Sequence, residues 1–159
     1  MATECDIIVI GTGPGGESAA SSLAQARLDV VAVEDRLVGG ECPYWGCIPS
    51  KMLIRAADSL AEGRRIPELA GSATVDADFG VPAARIRTEA TTDWDDTIAA
   101  DRLERSGAAL VRGRAVITGP GRVRVGDEEY IARRGILLNT GTTPAVPPID
   151  GLADTPYWT

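Results

Sequence analysis

A run of β-branched and apolar residues, Ile7 to Ile10, leads directly into Gly11, Gly13 and Gly16, a G-x-G-x-x-G spacing, and a stretch free of Gly and Pro follows from Glu17 to Arg27. The apolar run suits a strand buried on both faces. The stretch after the glycines is rich in Ala, Ser and Leu and predicts a helix. Val30 to Val33 predicts a second buried strand, and Glu34 stands at its end, 18 residues past Gly16. Each part has a mechanical reason. Gly11 permits a tight turn out of the strand, Gly13 lets backbone approach a pyrophosphate, and Gly16 lets helix and strand pack closely. Free N–H groups at the helix start carry partial positive charge. Glu34 can accept hydrogen bonds from a ribose diol, while Asp35 reads as its solvent-facing neighbour with at most a minor ribose contact. A bare glycine pattern would be an ordinary turn; between a strand and a helix, with an acid at this distance, it reads as a dinucleotide-binding unit.

The bulk properties narrow the classes. The chain of 159 residues has a net charge of −7 and a pI of about 4.6, which argues against a nucleic-acid or anionic-membrane surface. No apolar run approaches the length of a membrane span. The N-terminus lacks a basic segment followed by an apolar one, so the expected location is cytoplasmic. Histidine is absent, which excludes a Ser-His-Asp or Cys-His arrangement built from these residues. With three cysteines and no histidine, an all-cysteine or a mixed zinc site lacks ligands, and no metal is expected.

Two of those cysteines lie in "GGECPYWGCIPSK", Gly39 to Lys51, with four residues between Cys42 and Cys47. A structural disulfide is uncommon in a cytosolic protein, and two unrelated buried thiols are the plainest alternative. Five residues of regular helix rise about 7.5 Å, and a disulfide needs Cα atoms closer than about 7 Å. The two cysteines therefore do not pair across an undistorted helix; Pro43, Gly46 and Pro49 supply the irregularity that could bring them together. A distorted first turn is predicted, then a regular helix from about Pro49 through Ala61. Lys51 falls four residues after Cys47, on the same face. A helix N-terminus and a nearby cation both favour thiolate, as a redox-active thiol requires. Cys5 precedes the first strand without a sequence partner and reads as core packing.

Taken with "IGTGPGG", Glu34 and the later "GILLNTGTTPAVPPIDG", the stretch GG-x-C-x4-C-x-P-x-K makes the chain resemble the class I pyridine nucleotide-disulfide oxidoreductases, over almost its whole length. The family includes dihydrolipoamide dehydrogenase, glutathione reductase, mycothione reductase and mercuric reductase. The resemblance implies an α/β fold: a Rossmann-like FAD-binding domain with a parallel sheet, flanking helices and a small antiparallel β-meander. It implies FAD contacts along Gly11, Gly13, Pro14, Gly15 and Gly16, at Glu34 and Asp35, and at Gly40 and Glu41 near the pyrophosphate. Cys47 would face the flavin, Cys42 would be the interchange thiol that attacks substrate, and Lys51 would sit by the flavin ring. Arg114 and Ala115 fall where family backbones touch the adenine. Thr140 and Gly141 match a second FAD fingerprint. The chain departs from the usual pattern at Glu41, normally threonine, and at Pro43, Tyr44 and Trp45, where Val-Asn-Val is frequent. A carboxylate at Glu41 is expected to point away from the pyrophosphate or to find a cation.

The remaining segments carry less. Glu62 to Thr91 has no clear period and predicts loops with short helix pieces. Thr92 or Asp93 can cap a helix to about Ser106, with Gly107 past its end and Trp94 and Ile98 on its buried face. From Ala109, "ALVRG", "RAVIT", "RVRV" and "EYIA" alternate with turns and resemble the meander, before a last parallel strand at Ile136 to Asn139. Pro144, Pro147, Pro148 and Pro156 make the tail a stiff connector.

The expected organisation is thus an FAD-binding domain over 1–145 and a connector, 146–159, toward an NAD(P)-binding domain, with exposed apolar surface around the tail and Trp158. The resemblance implies NAD(P)H as electron donor, a small-molecule acceptor and a homodimer for the full-length protein, and a piece like this would not take hydride efficiently from NAD(P)H alone. The alternatives are a non-catalytic FAD-binding module, a thiol redox switch, or an inactive piece without ligand.

Overall fold

Alternation along two central strands decides the layering. In the computed structural model, which describes residues 2–157, β1 (Thr3–Ile10) and β2 (Val30–Glu34) run parallel, with Ile7 beside Val30 and Ile10 beside Val33. Successive strand side chains point to opposite faces. Val30 and Ala32 pack with Val9, Ala20 and Leu103, on the face covered by helices α1 (Pro14–Gln25) and α5 (Thr97–Arg105). Val31 and Val33 join Cys5, Ile8, Val123 and Tyr130 on the other face.

The sheet has six strands in the order β3-β2-β1-β6-β5-β4. β3 (Ala109–Arg112), β2, β1 and β6 (Glu128–Leu138) are parallel, while β4 (Ala115–Gly119) and β5 (Arg122–Val125) add antiparallel pairs. This is the anticipated α/β architecture, with two corrections. "ALVR" is not part of the meander; it is the parallel edge strand beside β2. "EYIA" and "GILL" are not separate strands but one of 11 residues. A β-bulge makes this possible: β1 pairs Cys5 with Ala132 and Ile7 with Gly135, so the extra residue on β6 is absorbed at Arg133 and Arg134. Both arginines pair with Asp6, each at 3.3 Å.

The helices also differ in extent. α1 starts at Pro14 rather than Glu17, and stops before Arg27, whose φ of +65° is left-handed. The helix after the cysteines, α3 (Cys47–Leu69), begins earlier and runs well past Ala61. Gly63 does not break it: a Cβ there would stand 2.9 Å from Val75 Cγ2, so the glycine admits the segment that crosses the helix. Pro67 is accommodated near its end. α4 (Gly80–Arg85) continues into a π turn at Ile86–Ala90 and a short 3₁₀ turn at Thr92–Trp94.

Neither Thr92 nor Asp93 begins α5; Asp96 does, and Gly107 follows the end as anticipated. Thr92, Asp93 and Trp94 have φ of 51°, 55° and 60°, which breaks the helical phase. Trp94 and Ile98 therefore do not share a buried face: they are 37% and 74% exposed, while Ala100 and Leu103 are buried instead. Past β6 the tail forms no strand among the described residues and only a 3₁₀ turn at Leu152–Asp154. Val146 and Ile149 are exposed there; Trp158 lies outside the described residues. Among the described residues no helix is long and apolar enough to cross a membrane.

Candidate functional site

The strands β1, β2 and β6 end at one edge, and the starts of α1, α2 (Glu41–Tyr44) and α3 converge on it. Between them lies a cavity of about 770 Å³, inside the ~300–1,000 Å³ typical of small-molecule sites. Gly11, Gly13 and Pro14 line it from the first turn, and Glu34 and Asp35 from the second. Gly40, Glu41, Cys42 and Cys47 line it from α2 and α3, and Arg114, Ala115, Thr140 and Gly141 from the β-strand side. Gly15, Gly16 and Lys51 stand outside the lining.

The glycines shape this cleft by contact. A Cβ at Gly16 would stand 1.9 Å from Gly11 O, which makes it a packing residue between α1 and the turn. Gly11 has φ +90°, and a Cβ there would meet Asn139 O at 2.2 Å. At Gly40, φ +63°, a Cβ would lie 2.7 Å from Gly13 Cα, so these two glycines let α1 and α2 start side by side. Pro14 has no N–H to leave unpaired, and the first amides of α1 lack intrahelical acceptors. Asn139, which the sequence marks only as a strand end, is a further lining residue. Its side chain lies against Gly13 and Gly15, with Nδ2 3.5 Å from Gly11 O. Its place immediately before Thr140 and Gly141 is the only signal that could have identified it.

Glu34 is buried and ties two turns together. Its Oε2 accepts from Thr12 N–H at 2.7 Å and from the Thr12 hydroxyl at 2.8 Å, and its Oε1 accepts from Arg36 N–H at 2.9 Å. Asp35 is exposed beside it. Glu41 is exposed at the start of α2, is among the lining residues, and forms no ion pair among the described residues.

The cysteines are separated by the predicted irregularity. α2 ends at Tyr44, and Trp45 (φ −133°, ψ −22°) and Gly46 (φ −109°, ψ −100°) break the path before α3 starts at Cys47. Gly46 N–H reaches back to Glu41 O at 2.7 Å. Cys42 and Cys47 are free thiols, and their side chains are close enough to hydrogen-bond. That bond, together with burial and the neighbouring Cys47 sulfur, pushes the Cys42 thiol above its ordinary 9.0, against the Lys51 charge, which pulls it down. At Cys42 the environment thus favours the thiol overall, with Lys51 acting toward the thiolate. Trp45 and Arg36, neither anticipated as a site residue, also line the cavity, with the guanidinium carbon 4.7 Å from the indole centroid. Cys5 is fully buried, its thiol donating to Ile7 O and Ile131 O, and burial pushes its pKa up; it is a core residue, as expected. A second cavity of about 820 Å³ lies between α3 and α4, lined by Leu53, Leu60, Val75 and Phe79, and shares no residue with the first. No group of three or more potential metal ligands occurs among the described residues.

A family model described as pyridine nucleotide-disulphide oxidoreductase matches residues 5–158. The chain belongs to that family. Pyridine nucleotide-disulphide oxidoreductases of this kind include a dihydrolipoyl dehydrogenase of Chlorobaculum tepidum, 33% identical over 152 residues, which cover 93% of this chain and 32% of the relative. A mercuric reductase of Shewanella putrefaciens is 35% identical over 162 residues, 96% of this chain and 28% of the relative. Among solved structures, the HOCl-induced flavoprotein disulfide reductase RclA of Escherichia coli aligns with a TM-score of 0.72 at 27% identity, covering 95% of this chain and 31% of that one. The chain thus spans about a third of the length of these relatives. The family's cofactors are FAD and NAD(P)H.

Proposed function

We propose that this chain is the FAD-binding, dithiol-bearing part of an NAD(P)H-dependent oxidoreductase that passes two electrons to a small-molecule acceptor. The observation that carries the reading is a single cavity lined at one end by the glycine turn and Glu34 and at the other by Cys42 and Cys47. The residues fit the cofactor: a Cβ at Gly40 would meet Gly13 Cα at 2.7 Å and one at Gly13 would meet Asn139 Nδ2 at 3.2 Å, so glycine at both positions lets the backbone close up along the wall of the cavity that Gly13, Gly40 and Asn139 line. Gly11, Gly13, Pro14, Gly40 and the start of α1 would hold the pyrophosphate, with Gly15 and Gly16 behind them. Glu34 and Asp35 would meet the ribose, Arg114 and Ala115 the adenine, and Thr140 and Gly141 the ribityl chain. Bound FAD would supply the two-electron chemistry that returns a Cys42–Cys47 disulfide to the dithiol at the expense of NAD(P)H.

The dithiol would do the exchange itself. The Cys42 thiolate attacks one sulfur of an acceptor disulfide and displaces the other, and Cys47 then attacks the Cys42 sulfur and displaces the acceptor's remaining sulfur. Two thiol protons and two electrons pass to the acceptor, which leaves as a dithiol, and Cys42 and Cys47 are left bonded. Lys51, whose charge favours thiolate at Cys42, would keep the attacking form populated. The names of the relatives point to a disulfide or dithiol compound, or the mercuric ion, as acceptor. Residues 1–145 would form the FAD-binding domain and 146–159 the connector toward an NAD(P)-binding domain, the whole assembling as a homodimer in the cytoplasm.

Titration with FAD, followed by quenching of tryptophan and flavin emission, tests this directly. The protein is expected to bind FAD stoichiometrically, and Gly13→Val to lose at least about tenfold in affinity, because its side chain would push against Asn139 and Gly40 in the cavity wall. Equal affinity in the two proteins would remove FAD from the cavity. Binding of FAD with no change in Cys42 or Cys47 reactivity would leave a flavin-binding module without the exchange.

A further inference from the structure

The backbone between β2 and α2 is held from three sides where it passes the cavity. Glu34 Oε1 accepts from Arg36 N–H at 2.9 Å, and Arg112 Nη1 donates to Arg36 O at 3.2 Å. Asp96 Oδ2 accepts from Val38 N–H at 2.7 Å and is itself bridged to Arg112 at 2.6 Å. Arg36 thus starts from a fixed main chain. Its guanidinium pairs with no carboxylate among the described residues and lies instead over the Trp45 ring, 4.7 Å from the centroid.

Trp45 is the residue at which the helical path breaks between the two cysteines. It is 44% exposed, so burial alone does not fix it. Its ring also neighbours that of Tyr44, itself buried, with ring centroids 5.7 Å apart and planes tilted by 59°. A cation over an indole and an edge-tilted aromatic neighbour are both attractive arrangements. Arg36 therefore reaches from the nucleotide end of the cavity to the loop that sets the separation of Cys42 and Cys47.

We propose that Arg36 is a positioning residue for the thiol pair: stacked on Trp45, it holds the break between α2 and α3 in the form that keeps Cys42 beside Cys47, and so favours the disulfide over the dithiol. This rests on the reading of the pair as redox-active. The physical reason is effective concentration. A disulfide holds its two sulfurs together whether or not the loop is clamped. The dithiol gains freedom when the clamp is released, and the equilibrium moves toward the reduced form.

The test is equilibration of the protein, with no flavin added, in mixtures of oxidised and reduced dithiothreitol, followed by acid quench, alkylation and mass counting of free thiols. Cys42 and Cys47 together give two electrons and two protons to the cyclic reagent disulfide, forming their own disulfide and reduced dithiothreitol. Arg36→Met is expected to lower the equilibrium constant for oxidation by about fivefold. Trp45→Ala is expected to do the same, and the double variant no more than either alone, because each removes the same contact. Arg36→Lys keeps the cation and is expected within about twofold of the parent, the range of a neutral surface change. Arg36 is exposed, so Arg36→Met carries the test even where Trp45→Ala fails to fold.

Arg36→Met within about twofold of the parent, or Arg36→Lys as damaging as Arg36→Met, overturns the proposal. A parent protein that forms no Cys42–Cys47 disulfide at any ratio overturns the redox reading beneath it as well. A parent that forms the disulfide with the expected variant ladder but takes up no FAD sinks only the flavin assignment.

Discussion

Cys42 and Cys47 are brought near one another by the break between α2 and α3, and Cys47 acts on the Cys42 thiol in one direction. Hydrogen bonding to Cys47, burial and the neighbouring sulfur hold the Cys42 proton on, while Lys51 works the other way. Alkylation of Cys42 requires its thiolate, so its rate rises as pH climbs through a value above 9.0. Cys47→Ala removes the first and third causes and leaves burial; the Cys42 midpoint is expected to move down toward the ordinary value. Lys51→Met removes the opposing charge and is expected to move it up. A pH–rate profile of iodoacetamide labelling, with Cys42 located by mass spectrometry, reads both; a midpoint that Cys47→Ala leaves in place would break the account. The thiol positions were legible as a motif. The raised Cys42 pKa was not, because it depends on a sulfur–sulfur approach that spacing alone does not specify. At Gly16 the lesson is similar. The pattern marks the glycine, but only the contact between its missing Cβ and Gly11 O at 1.9 Å shows that it serves packing and stands behind the cavity wall.

Among the elements, α5 and the segment after β2 are joined through one carboxylate. Asp96 stands at the start of α5, accepts from Val38 N–H and bridges to Arg112 on β3 at 2.6 and 2.9 Å. Burial alone would raise its pKa; the Arg112 bonds, the Val38 amide and the Arg112 charge outweigh it and hold the carboxyl below 3.8. A depressed folded pKa means that its stabilisation is complete above the unfolded value and is lost as pH falls below 3.8 through the folded one. Asp96→Asn is expected to cost about 1–2 kcal/mol at neutral pH and to flatten the acid limb of the stability profile below pH 3.8. Urea unfolding of both proteins across that range checks it, and parallel acid limbs would contradict the assignment. The sequence marked a helix start near here but placed it at Thr92 or Asp93, because three consecutive left-handed residues leave no trace in a propensity pattern. The long α3 was shortened for the opposite reason: Gly63 and Pro67 look like breakers, and only the crossing of Val75 shows why the glycine is tolerated.

On the scale of the whole molecule, stability is unevenly distributed. β1 and β2 are rich in fully buried side chains, among them Cys5, Ile8, Val9, Val30, Ala32 and Val33, whereas Pro49 is the one buried residue of the 23 in α3. Local opening follows burial and contact, so hydrogen exchange is expected to be slowest in β1 and β2 and markedly faster along the second half of α3. Equal protection in the two would mean that α3 is covered by something the fold of residues 2–157 does not supply. Phe79 and Ile54, 62% and 60% exposed, lie in the same region. The apolar exposure anticipated at the tail is present at Val146 and Ile149, but the exposure around α3 was not foreseen, since a helix whose period is weak gives no sign of which face lacks a partner.

By itself, the order of residues determined the α/β class, the glycine turn, the acid at Glu34 and the paired cysteines, because each depends on neighbours within a few positions or on a short, specific spacing. Tertiary structure alone decided that Ala109 to Arg112 joins the parallel sheet, that β6 is continuous through its bulge, that Asn139 fills the space among the glycines, and that Arg36 reaches Trp45. Those features arise where residues far apart in the chain meet, and the energy of such a meeting resides in the contact, not in either residue's own propensity.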